Sequence, residues 1–307
     1  MQQRLAAIDI GTNSTRLLVA EIKGTALIPI YQDAVTTRLG QGSASSPILL
    51  PVAMERTAVA VAKAYQRAQN LEADFIRLFG TSALREAANR EQFCQLVGQK
   101  VGQKPEVLSG DKEAHLTYQG AVRALGLTGS ALIIDVGGGS TELIWGCKDK
   151  VLSAISLKVG AVRLLEKYLL TDPPSEQEWN EMTRFVQVAL KENLKLLKGK
   201  VQQVVAVGGT ATTVAAMQQR LACYDRARVQ GYIVHRKKLA ILVNTIRLLP
   251  LAKRRMLPGL PSGRADIFPA GAAILDQALS MLDCPQLTVS DADLLLGSLY
   301  EKLPFIV

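Results

Sequence analysis

Histidine is nearly absent from this chain: His115 and His235 are the only two in 307 residues. That excludes a histidine-rich metal centre, and neither residue is assigned a role. The four cysteines, Cys94, Cys147, Cys223 and Cys284, are widely scattered. They fit neither the close spacing of zinc ligands nor a disulfide scaffold, and read as reduced thiols. Aromatic residues make up 5% of the chain. The basic clusters His235-Arg236-Lys237-Lys238 and Lys253-Arg254-Arg255 therefore lack the stacking platforms of a single-strand groove. They read as solvated helix faces, with no nucleic acid as partner. No apolar run approaches the ~18 to 20 residues of a membrane span, and no signal sequence opens the chain. The expectation is a cytoplasmic protein without a membrane partner. Its formal charge of +9 favours anionic ligands in general without choosing among them.

Two loops of one design stand at a constant offset of 126 residues (Asp9 to Asp135). The first is Ile8-Asp9-Ile10-Gly11-Thr12-Asn13-Ser14-Thr15 and the second is Ile134-Asp135-Val136-Gly137-Gly138-Gly139-Ser140-Thr141. Each joins two apolar runs of strand type, which predicts a duplicated β-hairpin. Glycines bring backbone N–H groups close to an anionic oxygen, and the hydroxyls of Ser14, Thr15, Ser140 and Thr141 add donors. An aspartate beside each loop would by itself repel phosphate, so its presence in both argues for a divalent cation between carboxylate and phosphate. Asp-Gly and Gly-Gly turns also close hairpins that bind nothing; it is the matched pair that points to two phosphate grips and a cleft.

The length predicts about two domains. The first is expected over 1–127, joined by a C-terminal helix from 291–307, and the second over 128–290. The boundary falls in Gly126-Leu127-Thr128-Gly129-Ser130. Within the first half, a loop over Arg38 to Pro51 precedes a helix to about Gln69 and a strand at Phe75 to Phe79. Thr81-Ser82 is expected to cap one helix running toward Val97. A later helix, Asp111 to Leu125, buries a stripe of Ala114, Tyr118, Ala121, Val122 and Leu125, with Glu113 off the stripe. In the second half, a long helix ends near Leu197. The strand Val204 to Val207 then enters a third small-residue loop, Gly208-Gly209-Thr210-Ala211-Thr212-Thr213, which opens another helix. That loop suits either a phosphate or close packing of helix on strand.

The two Asp-Gly hairpins and the later Gly-Gly-Thr loop resemble the superfamily of actin, Hsp70 ATPases and sugar kinases. Within it the chain closely resembles the exopolyphosphatase and guanosine pentaphosphate phosphatase family. The motifs that carry this resemblance include the following runs: Arg38-Leu39-Gly40-Gln41-Gly42, Thr81-Ser82-Ala83-Leu84-Arg85-Glu86-Ala87, Ser109-Gly110 with Glu113-Ala114, Gly160-Ala161-Val162-Arg163 and Arg264-Ala265-Asp266. The resemblance implies an α/β fold of two ribonuclease H-like, actin-like domains with a cleft between them. It implies Mg²⁺-dependent hydrolysis of terminal phosphoanhydride bonds of polyphosphate, guanosine pentaphosphate or both. It also implies a short form, without the C-terminal helical domain of longer members; a homodimer is compatible with the sequence but not required by it.

By the same resemblance Glu113 is the catalytic glutamate, with Arg85 as a cation near the transferred phosphoryl and Glu142 assisting metal or water. Gly11, Thr12, Asn13, Ser14 and Arg16 are expected to hold phosphate, as are Gly137, Gly138, Gly139 and Ser140. Asp135 and Asp9 are the expected metal-side carboxylates. Gly208, Gly209, Thr210 and Arg264 are candidates for a nucleotide. Arg16 and Arg163 serve equally well as structural ion-pair partners. Where many family members have an acidic pair before the glutamate, this chain has Asp111-Lys112. Two other functions remain compatible with the hairpins: an ATP-dependent small-molecule kinase, and a phosphate or nucleotide sensor without turnover.

Overall fold

The computed structural model describes all residues except 1–2, 43–45, 196, 198–199 and 304–307. The chain forms two compact units, Met1–Gly120 with Asp293–Val307, and Ala121–Ala292. Residues 43–45 of the expected loop after Arg38 lie outside the described residues.

The first unit begins with three antiparallel strands, β1 (Arg4–Ile10), β2 (Ser14–Lys23) and β3 (Ala26–Thr36). Helix α1 (Pro51–Asn70) follows, with proline in its first turn, where a missing N–H costs nothing. Then come β4 (Phe75–Gly80), α2 (Ser82–Glu86), α3 (Arg90–Val101), β5 (Glu106–Val107) and α4 (Gly110–Leu125). The sheet order is β3-β2-β1-β4-β5, with β4 parallel to β1 and β5 parallel to β4. Strand β1 lies in the interior of the sheet, which is why Leu5, Ala6, Ala7, Ile8 and Ile10 form a near-continuous apolar run and all are buried. Ala58, Val61 and Ala68 of α1 pack with Ala6, Ile8 and Val19 in one core.

The second unit repeats this plan. Strands β6 (Ser130–Val136), β7 (Thr141–Cys147) and β8 (Lys150–Leu157) are antiparallel, followed by α5 (Ala161–Tyr168) and α6 (Glu176–Lys195). Next are β9 (Gln203–Val207), α7 (Gly208–Gln218), α8 (Arg226–Val229), β10 (Ile233–His235), α9 (Arg236–Arg247) and α10 (Leu251–Arg254). The chain closes the unit with α11 (Phe268–Leu282) and β11 (Gln286–Val289). Read from β8, the order is β8-β7-β6-β9-β11-β10. That is the first sheet's order with one antiparallel strand, β10, added at the edge. The duplication extends to a defect: the pairing register shifts at Val19/Ala20 in one sheet and at Trp145/Gly146 in the other. These positions keep the same offset as the two loops.

Three local expectations change. The single helix from Ser82 toward Val97 is two helices, because Asn89 is drawn away from helical geometry. Its Oδ1 accepts from Leu49 N at 2.9 Å and its Nδ2 donates to Leu49 O at 3.0 Å. Thr81 makes no side-chain cap, and Ser82 Oγ donates to Glu86 Oε1 at 3.2 Å instead. Glu113, off the stripe of Ala114, Tyr118, Ala121, Val122 and Leu125, is nonetheless buried: it is 7% exposed, with Leu116 and Thr117 buried on the same helix. The helical pattern of α4 alone shows one buried stripe. The second is covered by the last helix, α12 (Leu294–Tyr300), which belongs to the first unit. There Gly297 abuts the Leu116 carbonyl and Gly120 abuts the Asp293 carbonyl so closely that a Cβ on either glycine would overlap it, at 1.8 and 2.2 Å.

Candidate active site

The two hairpin loops are held by the same device, built from different elements. In the first, Gly11 N donates to Ser14 O at 3.0 Å and closes the turn. The Thr12 carbonyl accepts from Gly40 N at 2.9 Å, and the Asn13 carbonyl from Thr37 N and Arg38 N at 2.9 and 2.8 Å. A trans peptide sets each C=O antiparallel to the next N–H. Committing these carbonyls to the 37–40 segment therefore turns the N–H groups of Asn13 and Ser14 the other way. In the second loop Gly137 N donates to Ser140 O at 2.9 Å. Here the N-terminus of α5 does the backing: Ala161 N reaches Gly137 O at 2.9 Å, Val162 N reaches Gly138 O at 2.9 Å, and Arg163 Nε reaches Gly139 O at 3.0 Å. The N–H groups of Gly138, Gly139 and Ser140 consequently point away from α5.

This explains why two of the sequence motifs carry glycine. A Cβ at Gly40 would come within 2.3 Å of Thr12 Cγ2, and one at Gly160 within 2.4 Å of the Gly138 carbonyl oxygen. Both glycines let the backing segment touch the loop.

What stands across each ladder differs. Asp9 pairs in register with Arg16, and Asp135 with Glu142. Arg16 donates through Nε and Nη2 to Asp9 Oδ2, at 3.0 and 2.7 Å, and through Nη1 to Asp293 Oδ2. Burial pushes the Asp9 carboxyl above the ordinary aspartate range; Arg16 pulls it back and Asp293 adds to the rise. Burial disfavours the Arg16 charge, yet its two carboxylates outweigh that and hold its pKa well above the ordinary value. The other Asp9 oxygen, Oδ1, is buried without a hydrogen-bond partner among the described residues, as is Asn13 Oδ1. In the second hairpin Glu142 is buried and accepts from Ser156 Oγ at 2.8 Å. Asp135 is half-buried.

The third loop packs on this second aspartate. Gly208, at φ +77°, lies against it so closely that a Cβ would sit 2.5 Å from Asp135 Oδ1. The Arg264 guanidinium lies over Gly209, 2.1 Å from where a Cβ would be. Thr210 Oγ1 donates to Val136 O at 3.1 Å, so this hydroxyl ties the loop to strand β6. Gly208, Gly209, Thr210 and Arg264 are thus gathered beside Asp135.

Glu113 and Arg85 meet within the first unit. Glu113 occupies the first turn of α4, and Arg85 stands on α2. Arg85 Nη1 donates to Glu113 Oε2 at 2.7 Å and to Leu108 O at 3.0 Å. Both side chains are largely withdrawn from solvent, with 25% of Arg85 and 9% of Glu113 exposed. The guanidinium fixes one carboxylate oxygen, the arrangement expected of a glutamate held in one orientation.

Among the described residues, no group of three or more His, Cys, Asp or Glu side chains forms a metal cluster. Mg²⁺ does not need one, since it keeps several waters and is usually bound through one or two carboxylates plus substrate phosphates. The half-buried Asp135, with Glu142 across the ladder, fits that mode. Asp9 fits it less well, because one of its oxygens is taken twice by Arg16.

A sequence model of the Ppx/GppA phosphatase family matches residues 18–305. The chain belongs to this family. Exopolyphosphatase 2 of Mycobacterium tuberculosis is 33% identical over 96% of this chain and 97% of its own length. A guanosine-5'-triphosphate,3'-diphosphate pyrophosphatase of Pseudoalteromonas translucida is 31% identical over 97% of this chain and 59% of its own length. The crystal structure of the Aquifex aeolicus Ppx/GppA family member superposes with a TM-score of 0.82 at 30% identity, covering 99% of this chain and 98% of that one. Family membership brings with it the actin-like fold of two α/β domains.

Asp293 escaped the sequence reading of this phosphatase, although it touches Arg16 of the first hairpin. Its only local signal is that of a helix cap ahead of Leu294-Leu295-Leu296, and its Oδ1 does accept from Leu295 N at 3.0 Å.

Proposed function

We propose that this phosphatase hydrolyses terminal phosphoanhydride bonds of inorganic polyphosphate or guanosine pentaphosphate, releasing orthophosphate, with Mg²⁺ as cofactor. The observation that carries the reading is the buried Glu113 carboxylate held by Arg85. A group oriented in that way suits water more than it suits ligand capture alone. The family relatives named above bear the names of the two substrate classes.

In this reading the outward N–H groups of Asn13 and Ser14, and of Gly138, Gly139 and Ser140, bind phosphate oxygens. Glu113, oriented by Arg85 at Oε2, takes the proton of a water. The water oxygen bonds to the terminal phosphorus, the bond from that phosphorus to the bridging oxygen breaks, and the shortened chain leaves with the electron pair. Bound at Asp135, Mg²⁺ would neutralise charge on the phosphate oxygens. Phosphoryl transfer passes through a loose transition state, so positioning and charge neutralisation supply most of the acceleration. Arg85 acts by positioning the glutamate. Gly208, Gly209, Thr210 and Arg264 form the candidate contact for a guanosine moiety.

The test is phosphate release from polyphosphate, guanosine pentaphosphate and ATP, each with and without Mg²⁺. The reading expects Mg²⁺-dependent release from at least one of the first two with water as the sole acceptor. Release that requires an added alcohol acceptor would make the protein a kinase, and no release would make it a sensor.

A further inference from the structure

We infer that Asp293 is a positioning residue for the first phosphate hairpin, acting through Arg16. The inference rests on the proposed hydrolysis and deepens it.

Arg16 lies between two buried carboxylates: Asp9 is 4% exposed and Asp293 is 3% exposed. Two of its nitrogens bond one oxygen of Asp9, and the third bonds Asp293. The guanidinium is planar and rigid, so fixing Nη1 on Asp293 fixes the direction in which Nε and Nη2 meet Asp9. With Arg16 so held, it covers Asp9 Oδ2 and leaves Oδ1 without a protein partner. A buried carboxylate oxygen without a partner is costly and calls for an explanation. Here it is the oxygen that Arg16, as Asp293 orients it, leaves unbonded next to the first hairpin loop. Asp293 is itself held from several sides. It caps α12 through Oδ1, its carbonyl is pressed against Gly120, and it receives Gly297 N at 2.9 Å. Replacing either glycine would dislodge it, as both spaces are filled by backbone. The last helix of the chain thus orients a side chain of the second strand.

The experiment is a double-mutant cycle of Asp293→Asn and Arg16→Met in the full chain, read as kcat and KM for tripolyphosphate and as tripolyphosphate affinity by calorimetry. Asparagine keeps the size and the helix cap, so the fold is retained; an unchanged Tm verifies this. The expected result is a fall of about tenfold in kcat for Asp293→Asn, the scale on which outer partners of ligating groups act. KM and affinity do not worsen, because the change removes a negative charge near an anion. In the Arg16→Met background the same substitution brings no further loss of kcat, since Asp293 positions the hairpin through Arg16 and its direct interaction with Asp9 is a repulsion. Wild-type kcat in Asp293→Asn, a full additional loss in the Arg16→Met background, or weaker tripolyphosphate binding each overturns the inference. A wild-type protein that releases no phosphate defeats the hydrolysis reading instead. The inference is then judged on affinity alone, where weaker binding by Asp293→Asn still refutes it.

Discussion

The two hairpins share a scaffold and differ in charge. Loop closure and even the bulge in the following strand recur at one offset, and in both loops the carbonyls are backed by a second segment. Across the ladder, though, the first aspartate faces Arg16 and the second faces Glu142. The difference teaches that duplication preserved the geometry that exposes N–H groups, while the side chains diverged toward separate tasks. In the first unit the aspartate is tied into an ion-pair triad, and the same unit carries Glu113 and Arg85. In the second, two acids face each other across the ladder, and Asp135 is the carboxylate proposed to hold the cation.

The largest effect should come from the residue without a counterpart in that repeat. Glu113→Gln should lower turnover by about 10² to 10⁴ if it removes proton transfer, with Tm nearly unchanged. Near-full activity would remove the asymmetry between the units. Arg85→Lys comes next, with about a tenfold loss of kcat, because a flexible ammonium does not hold the fixed direction from which Nη1 of the rigid guanidinium donates to both Glu113 and Leu108 O. The backing glycines then compare the loops directly. Gly160→Ala drives a Cβ into loop backbone, whereas Gly40→Ala meets the end of the Thr12 side chain. The first should cost about 1 to 3 kcal/mol in chemical denaturation, as overpacking does, and raise KM. The second should cost less, and equal losses would mean that the loops are not held as described. Smallest is Thr210→Val, which removes one buried hydrogen bond to Val136 O at about 1 kcal/mol.

Much of this was legible in the chain because it is local. The hairpins announce themselves through glycine, aspartate and apolar strands within a few residues, and the repeat doubles the signal. Glu113 and Arg85 were named through family resemblance, since a glutamate in the first turn of a helix is ordinarily a dipole partner. Their 2.7 Å contact depends on how α2 and α4 pack. The break at Ala87 to Asn89 was hidden because its cause is the backbone of Leu49, a partner outside any helical window. Asp293 was hidden for the same reason on a larger scale: it meets Arg16 across 277 residues of sequence. The second buried face of α4 depends on α12, whose glycine contact with Leu116 and Gly120 no periodicity in α4 predicts.

The central claim is that the cation belongs with the second hairpin. The direct measurement is the Mg²⁺ concentration for half-maximal phosphate release in Asp135→Asn and in Asp9→Asn, each beside the wild type. The account predicts a rise of at least about tenfold for Asp135→Asn, because Mg²⁺ binds through so few carboxylates. It predicts a much smaller rise for Asp9→Asn, which leaves Arg16 paired with Asp293. The reverse order, with Asp9→Asn raising the Mg²⁺ requirement more, would contradict it.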